Sequence, residues 1–416
     1  MFGLLDILLR RIVRNGALTF VDAGGAAHRY GDGQGRQVTV QIADKRLERH
    51  LVLDPQLALG EGYMQGRLKM IEGRIYDLLA LLLSNIQHQP EPRWTRGLVV
   101  ARYLIRRLMQ FNPSGRAQRN VAHHYDINGA IYDLFLDRDR QYSCAYFTEG
   151  ATLEEAQLAK KRHLAAKLAI TPGQRVLDIG SGWGGLGLYL AKIAHCDVTG
   201  VTLSSEQLKI SQERALREGL ARAARFEFKD YRKVEGQFDR IVSVGMFEHV
   251  GVNHYVTFFR KVRDLLADDG AAVIHTIGRS EPPTVTNPFI AKYIFPGGYI
   301  PALSEMVAAI ERSGLMISDL EVLRLHYADT LRAWRERFLA NWDHAAGILD
   351  EQFCRMWEFY LAGSETAFRY QNLVVFQVQL VKRIGALPTT RDYMLTDEHR
   401  LLEQEQIEAR PRMAGE

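Results

Sequence analysis

The feature that most constrains this chain is the stretch VLDIGSGWGG at residues 176–185. Val176, Leu177, Asp178 and Ile179 form an apolar run that passes straight into a turn made by Gly180, Ser181, Gly182, Trp183 and Gly184, and then into a helical pattern. A strand, a tight turn and a helix in that order bring backbone N–H groups close to a ligand, an approach that only glycine permits. Apolar strand-like runs alternate with segments of helix length around it: RVLDIG, DVTGVTL, FEFKD, FDRIVSVGM and AAVIHTIG. The alternation predicts an α/β fold with a mostly parallel, doubly wound sheet, whose ligand-facing edge is the carboxyl end of the strands.

The glycines admit two cofactors. Gly180, Gly182 and Gly185 satisfy the dinucleotide spacing GxGxxG, which would hold a nicotinamide cofactor. Two residues oppose it. Asp178 lies inside the strand, where a dinucleotide-binding strand is apolar and a methyltransferase carries an acid beside the amino-acid moiety of S-adenosylmethionine. The second strand, DVTGVTL, reaches Thr202 and not the acid that grips a nicotinamide ribose. Thr202 and Gln207 are then ribose hydrogen-bonding candidates, and Asp230–Tyr231 after the third strand would frame the adenine. A tight turn with no ligand satisfies the glycines equally well, and it is Asp178 and the strand order that favour S-adenosylmethionine.

A chain of 416 residues is long for one domain. Residues 1–90 mix β-type runs (GALTFVDA, QVTVQIAD, RHLVLD) with the helical YDLLALLLSNI and read as a small N-terminal α+β accessory domain. Residues 91–120 carry Arg93, Arg96, Arg102, Arg106, Arg107, Arg116 and Arg119 among apolar residues and read as a basic amphipathic connector. The catalytic domain is expected over 121–392, with helices at 328–344 and 350–368, and a charged, loosely held tail over 393–416. Three widely spaced cysteines, Cys144, Cys196 and Cys354, argue against a disulfide framework or a cysteine-rich zinc site and fit a reducing cytoplasm. No metal is expected. The longest apolar stretch is too short to span a bilayer, so membrane contact is expected to be peripheral. The net charge of +4 favours an anionic partner without choosing between nucleic acid and lipid headgroups.

Further strings coincide with one family: HHYDINGAIYDLFLD, YSCAYF, VTLSSEQL, FDRIVSVGMFEHVG, VIHTIG, KYIFPGGYIP and ADTLRAWRERF. With the glycine loop they make the chain, over nearly its whole length, resemble the cyclopropane fatty acid synthase family, which includes the mycolic acid cyclopropane synthases. The resemblance implies a class I S-adenosylmethionine-dependent methyltransferase, Rossmann-like in fold. It implies methylene transfer from the cofactor to a cis double bond of an unsaturated phospholipid; the arginines of the connector from Arg93 to Arg119 make it the expected docking surface for anionic headgroups, and no nucleic acid partner is expected. It also implies a homodimer, a bound bicarbonate as the base, and a bicarbonate pocket at Cys144, Glu248, His275, Tyr327 and the backbone of Ile277. The implied cofactor contacts are Tyr142 and Ser143, Val176 through Gly184, Tyr231, and Thr202, Leu203, Ser204, Ser205, Glu206 and Gln207.

The pocket residues have ordinary readings too. A cysteine among aromatics is commonly a small buried hydrophobe, a histidine in an apolar strand a satisfied core residue, and Tyr327 alone is unremarkable. Glu248, read as ending the strand FDRIVSVGMFEH, stands where a sheet of this class exposes its ligand edge. The chain departs from some members near its C-terminus. It reads Ser364-Glu365-Thr366-Ala367-Phe368-Arg369 where they carry a cysteine, which removes a thiol nucleophile there and leaves the bicarbonate route intact. The competing readings are a methyltransferase leaving methyl or methylene branches or acting on small amines, and a non-catalytic lipid-binding protein with a relic cofactor fold.

Overall fold

The computed structural model describes residues 2–87 and 129–409, so the basic connector falls outside the described residues. The chain divides into two compact units, one joining the N-terminal region to Thr284–Pro296 and Tyr327–Leu373, the other made of the remainder.

The first unit begins with α1 (Phe2–Ile12), β1 (Ala17–Val21), β2 (Ala27–Tyr30) and β3 (Gln37–Ile42). These are followed by α2 (Lys45–Leu53), α3 (Pro55–Met64), β4 (Leu68–Glu72) and α4 (Ile75–Ile86). Its sheet runs β2-β1-β3-β4, with β1 and β3 parallel and the other pairs antiparallel. Alternate residues of β3, Val38, Val40 and Ile42, point into the core. RHLVLD is not a strand but the end of α2: the Asp44 carboxylate caps the N–H groups of Arg46 and Leu47, and Leu47 and Leu51, one helical turn apart, are both buried. The cap and the i,i+4 spacing outweigh the β preference of the short apolar run.

The second unit carries α5 (Gly129–Asp133), α6 (Leu153–Lys167), β5 (Arg175–Ile179), α7 (Gly185–Lys192), β6 (Asp197–Thr202), α8 (Ser205–Arg217) and β7 (Ala224–Phe228). After these come β8 (Phe238–Val244), α9 (Tyr255–Leu265), β9 (Leu266–Arg279), α10 (Leu303–Ser313), β10 (Met316–Leu323) and β11 (Leu373–Val381). The sheet order is β10-β11-β9-β8-β5-β6-β7. β7, β6, β5, β8 and β9 are successively parallel, and β10 is antiparallel to β11. Both faces are covered. Val176, Val198, Val242 and Val273 pack with Leu164 of α6 and Leu186 and Leu190 of α7, while Leu177, Ile179, Ile241 and Ile274 pack with Phe258 and Phe259 of α9 and Ile310 of α10. Burial on both sides is why these strands read as largely apolar runs without strict alternation. β6 lies on one side of β5 and β8 on the other, so the strand order reverses beside β5, the place where sheets of this class open a crevice.

The helical stretches expected at 328–344 and 350–368 are α11 (His326–Ala340), α12 (Trp342–Ile348) and α13 (Glu351–Tyr370). Within the first unit, α13 packs along α4 and α3, and the Tyr63 hydroxyl donates to Glu358 at 2.5 Å. The tail is not loose over 392–409. It forms α14 (Asp392–Ala409), packed on α6, with Leu401 fully buried and Glu405 accepting from Arg162 at 2.8 and 3.0 Å and from the Tyr189 hydroxyl at 2.7 Å. The charges that suggested a solvated tail are the ones that fasten it.

Candidate active site

The glycine loop leaves β5 at the point of strand reversal. Gly180 and Gly184 both have φ +84°, and a Cβ on either would come within 2.9 Å of Met246 or of Phe226 and Ser211. Those two glycines are therefore required by packing within the protein. Gly182, at φ +54°, differs: a Cβ there would meet nothing within 4 Å. The N–H groups of Gly180 and Ser181 are spent on the Val201 carbonyl, at 2.9 and 3.0 Å, which fixes the loop against β6.

Asp178 faces the interior from β5, with Oδ2 and the neighbouring Ser181 Oγ lacking a hydrogen-bond partner among the described residues. Burial pushes its carboxyl up to about 7, opposed by the charge of Lys160. Buried acceptors left without donors are uncommon. Here they suit a cationic, donor-bearing group such as the ammonium of S-adenosylmethionine.

Beyond β6, the Thr202 hydroxyl donates to Gln207 Oε1 at 2.9 Å, and Ser204 caps α8 through the N–H of Gln207. This capped turn, Thr202 to Gln207 with Leu203, Ser205 and Glu206, keeps the two ribose candidates together. Both Asp230 oxygens are engaged by Arg232, and the Tyr231 ring stands edge-on to Phe258 at 5.3 Å. Tyr142 lies 5.4 Å and Trp183 5.1 Å, ring to ring, from Tyr132, an aromatic group that joins the 142–144 segment to the glycine loop.

Glu248 is not on the strand. β8 stops at Val244, Gly245 turns the chain at φ +65°, and Glu248 sits in a 3-10 turn, Phe247–His249. Its Oε1 accepts from the Ile277 N–H at 2.6 Å, and Oε2 has no hydrogen-bond partner among the described residues. Burial pushes this carboxyl up to about 7. His275 lies in β9 beside Val244, and its carbonyl accepts from the Gly245 N–H at 2.9 Å. Burial, reinforced by the nearby Lys160 charge, drives its imidazole well below the ordinary range, so it is neutral. Gln377 Nε2 is 3.1 Å from His275 Nδ1, and a ring that accepts there carries its proton on Nε2. Cys144 is fully buried with its thiol 3.3 Å from the Ala145 carbonyl.

Cys144, Glu248, His275 and Ile277 thus fall in one unit with the glycine loop. Tyr327 belongs to the other unit, as the second residue of α11, where its ring packs on Phe368 at 4.9 Å and Trp334 at 5.8 Å. Two buried participants escaped sequence reasoning. Gln377 is one polar residue in an apolar strand. Lys160 carried a signal: it occupies the i+4 position between Ala156 and Leu164, and all three are fully buried, so a cation sits on the inward face of α6.

The family model for mycolic acid cyclopropane synthetase matches residues 113–378, and a domain of unknown function, DUF7884, matches 8–89. The chain is 38% identical over 344 residues to the cyclopropane-fatty-acyl-phospholipid synthase of Escherichia coli K12, covering 82% of this chain and 86% of that one. It is 34% identical over 393 residues to the tuberculostearic acid methyltransferase UfaA1 of Mycobacterium tuberculosis, covering 90% of each. The crystal structure of the mycolic acid cyclopropane synthase CmaA1 complexed with SAH and CTAB superposes with a TM-score of 0.61 at 32% identity, covering 65% of this chain and 99% of that one. With the glycine loop at the reversal of strand order and the Asp178 oxygen unpartnered among the described residues, these similarities make the chain an S-adenosylmethionine-dependent methyltransferase that belongs to the mycolic acid cyclopropane synthetase family.

Proposed function

We propose that the protein is a cyclopropane-fatty-acyl-phospholipid synthase, adding a methylene across a cis double bond of an unsaturated phospholipid acyl chain. The observation that carries the reading is a half-satisfied buried carboxylate, Glu248 in the turn after β8, fastened to the main chain of β9 two residues from the neutral buried imidazole of His275.

In this reading S-adenosylmethionine supplies the sulfonium methyl carbon, and the alkene supplies the electron pair that forms the new bond as the carbon–sulfur bond breaks. An alkene is a weak nucleophile, so the protein's contribution is alignment in a dry pocket. Asp178 and the loop hold the cofactor's amino-acid end. A proton must then leave the new methyl group for the ring to close, and bicarbonate is the base proposed to take it. The chain's residues fit that anion: the His275 Nε2–H is a donor, and Glu248 Oε2 is free to accept from its hydroxyl.

A second reading is supported by the likeness to a tuberculostearic acid methyltransferase: the same transfer ends in a methyl- or methylene-branched chain when the cation loses its proton to leave an alkene and no ring closes. Unsaturated phospholipid vesicles incubated with the enzyme and S-adenosylmethionine distinguish the two. A gain of one methylene mass with loss of olefinic proton resonances is expected for ring closure. The same gain with an alkene retained indicates branching, and no gain overturns both. A wild-type rate unaffected by strict carbon dioxide depletion would remove bicarbonate from the mechanism.

For the bilayer itself we propose an anionic lipid surface as the partner. Among the described residues, α1 offers Leu4 and Ile7, 53% and 62% exposed, together with Arg10 and Arg11 in its last turn.

A further inference from the structure

Lys160 is fully buried in α6. Its Nζ donates to Gln141 Oε1 at 2.6 Å and to Ser143 Oγ at 2.8 Å, bracketing Tyr142. Gln157, one turn earlier, holds the same segment through the Ser143 carbonyl at 3.0 Å. A buried ammonium costs several kcal/mol unless it is compensated, and two neutral acceptors compensate it only in part. Burial accordingly lowers it to about 8. The charged and titratable groups around it are Asp137 and Asp139 of the preceding loop, Lys161 of its own helix, Cys144, Asp178 of β5 and His275 of β9. Asp139 is occupied by Lys161 and Arg214. Asp137 accepts from the N–H groups of Asp139 and Gln141. Of these neighbours Asp178 is the carboxylate with an oxygen unpartnered among the described residues, and the Lys160 charge acts to lower it.

We propose that Lys160 is a positioning residue for S-adenosylmethionine: its ammonium fastens the Gln141–Cys144 segment on either side of Tyr142, beside the glycine loop, and sets a positive charge near the Asp178 carboxylate that would take the cofactor's amino group. The inference rests on the reading of Asp178 as a cofactor contact. Lys160 touches no reacting atom in this role. It acts through Asp178 and through the backbone next to Tyr142, and it leaves His275 uncharged as a donor.

The test is calorimetric titration of S-adenosylhomocysteine into wild type, Lys160→Met, Lys160→Arg, Asp178→Asn and the Lys160→Met/Asp178→Asn pair between pH 6 and 9, with thermal unfolding as the check on folding. Lys160→Met should bind about tenfold more weakly at pH 7, a difference of about 1.4 kcal/mol. Its loss of binding on acidification should set in at higher pH than in wild type, because Asp178 without the cation protonates sooner. The pair should lose less than the sum of the single losses, since part of the Lys160 effect passes through the Asp178 carboxylate. An unchanged pH midpoint in folded Lys160→Met, or additive losses in the pair, overturns the proposal. Lys160→Arg keeps the charge and should keep the wild-type midpoint, so a moved midpoint there overturns it even if the Met variant does not fold. Failure of wild type itself to bind S-adenosylhomocysteine would overturn the underlying site reading instead.

Discussion

The backbone N–H of Ile277 donates to Glu248 Oε1 at 2.6 Å, fastening a side chain that follows β8 to the main chain of β9. One carboxylate oxygen thereby serves the structure, and the other is the acceptor in the proposed mechanism. Glu248→Gln keeps an acceptor for the Ile277 N–H, an amide oxygen, and removes the acid–base capacity of the other position. Product formation is expected to fall by about 10²–10⁴, the usual range for a lost acid–base partner, with S-adenosylmethionine affinity little changed. Single-turnover lipid analysis beside calorimetry measures the split.

The same carboxyl sets a pH dependence. Burial holds Glu248 at about 7, and the ionised form is the acceptor, so the rate of product formation should rise with pH through about 7 and level above it. Glu248→Gln should lose that limb. His275 is driven well below the ordinary range, so its replacement by Gln should lower the rate without moving the limb.

Asp178 links cofactor binding to stability. Burial pushes its carboxyl up to about 7 in the folded chain, far above the ordinary carboxylate range, so the folded state binds the proton more tightly than the unfolded chain does. Its contribution to unliganded stability is greatest at low pH and is lost between about pH 4 and 7, at up to ~1.4 kcal/mol per unit. Asp178→Asn should therefore raise the melting temperature of the unliganded protein at pH 8 while weakening S-adenosylmethionine binding.

Gly182→Ala separates folding from binding. The added Cβ meets no protein atom, so the variant bears only the left-handed backbone penalty of about 1–2 kcal/mol. It should fold and lose most of its affinity for S-adenosylmethionine. Equal affinity in calorimetry would place the cofactor elsewhere.

Replacing Leu4 and Ile7 together by Ser leaves the buried face of α1, Leu5 and Leu9, intact. A buried leucine side chain contributes roughly 1.5–3 kcal/mol, so co-sedimentation with anionic vesicles should weaken by at least about tenfold, with cofactor binding unchanged. Unaltered sedimentation would remove α1 as the docking surface.

The central strands were legible because burial on both faces keeps them rich in Val, Ile and Leu, and Asp178 stood out as the acid inside β5. Edge strand β10 was not: Asp319 and Glu321 break its apolar run, and Glu321 is there to meet His163 at 2.7 Å. The strand end near Glu248 was misplaced because Met246 and Phe247 continue the apolar run after Gly245 has already turned the chain. Lys160 and Gln377 were missed for a different reason. Their importance lies in which atoms they touch across α6, β9 and β11, and a linear pattern carries no such distances.

The first unit draws α4 from the beginning of the chain and α13 from residues 351–370. On the ribosome the apolar side of α4, with Ile75, Leu78 and Leu79, emerges long before the helix that packs along it. At about 5–20 residues per second the wait is on the order of tens of seconds. The nascent N-terminal segment must pass that interval with an uncovered hydrophobic stripe, so chaperone occupancy and premature termination bear most heavily on this half of the molecule.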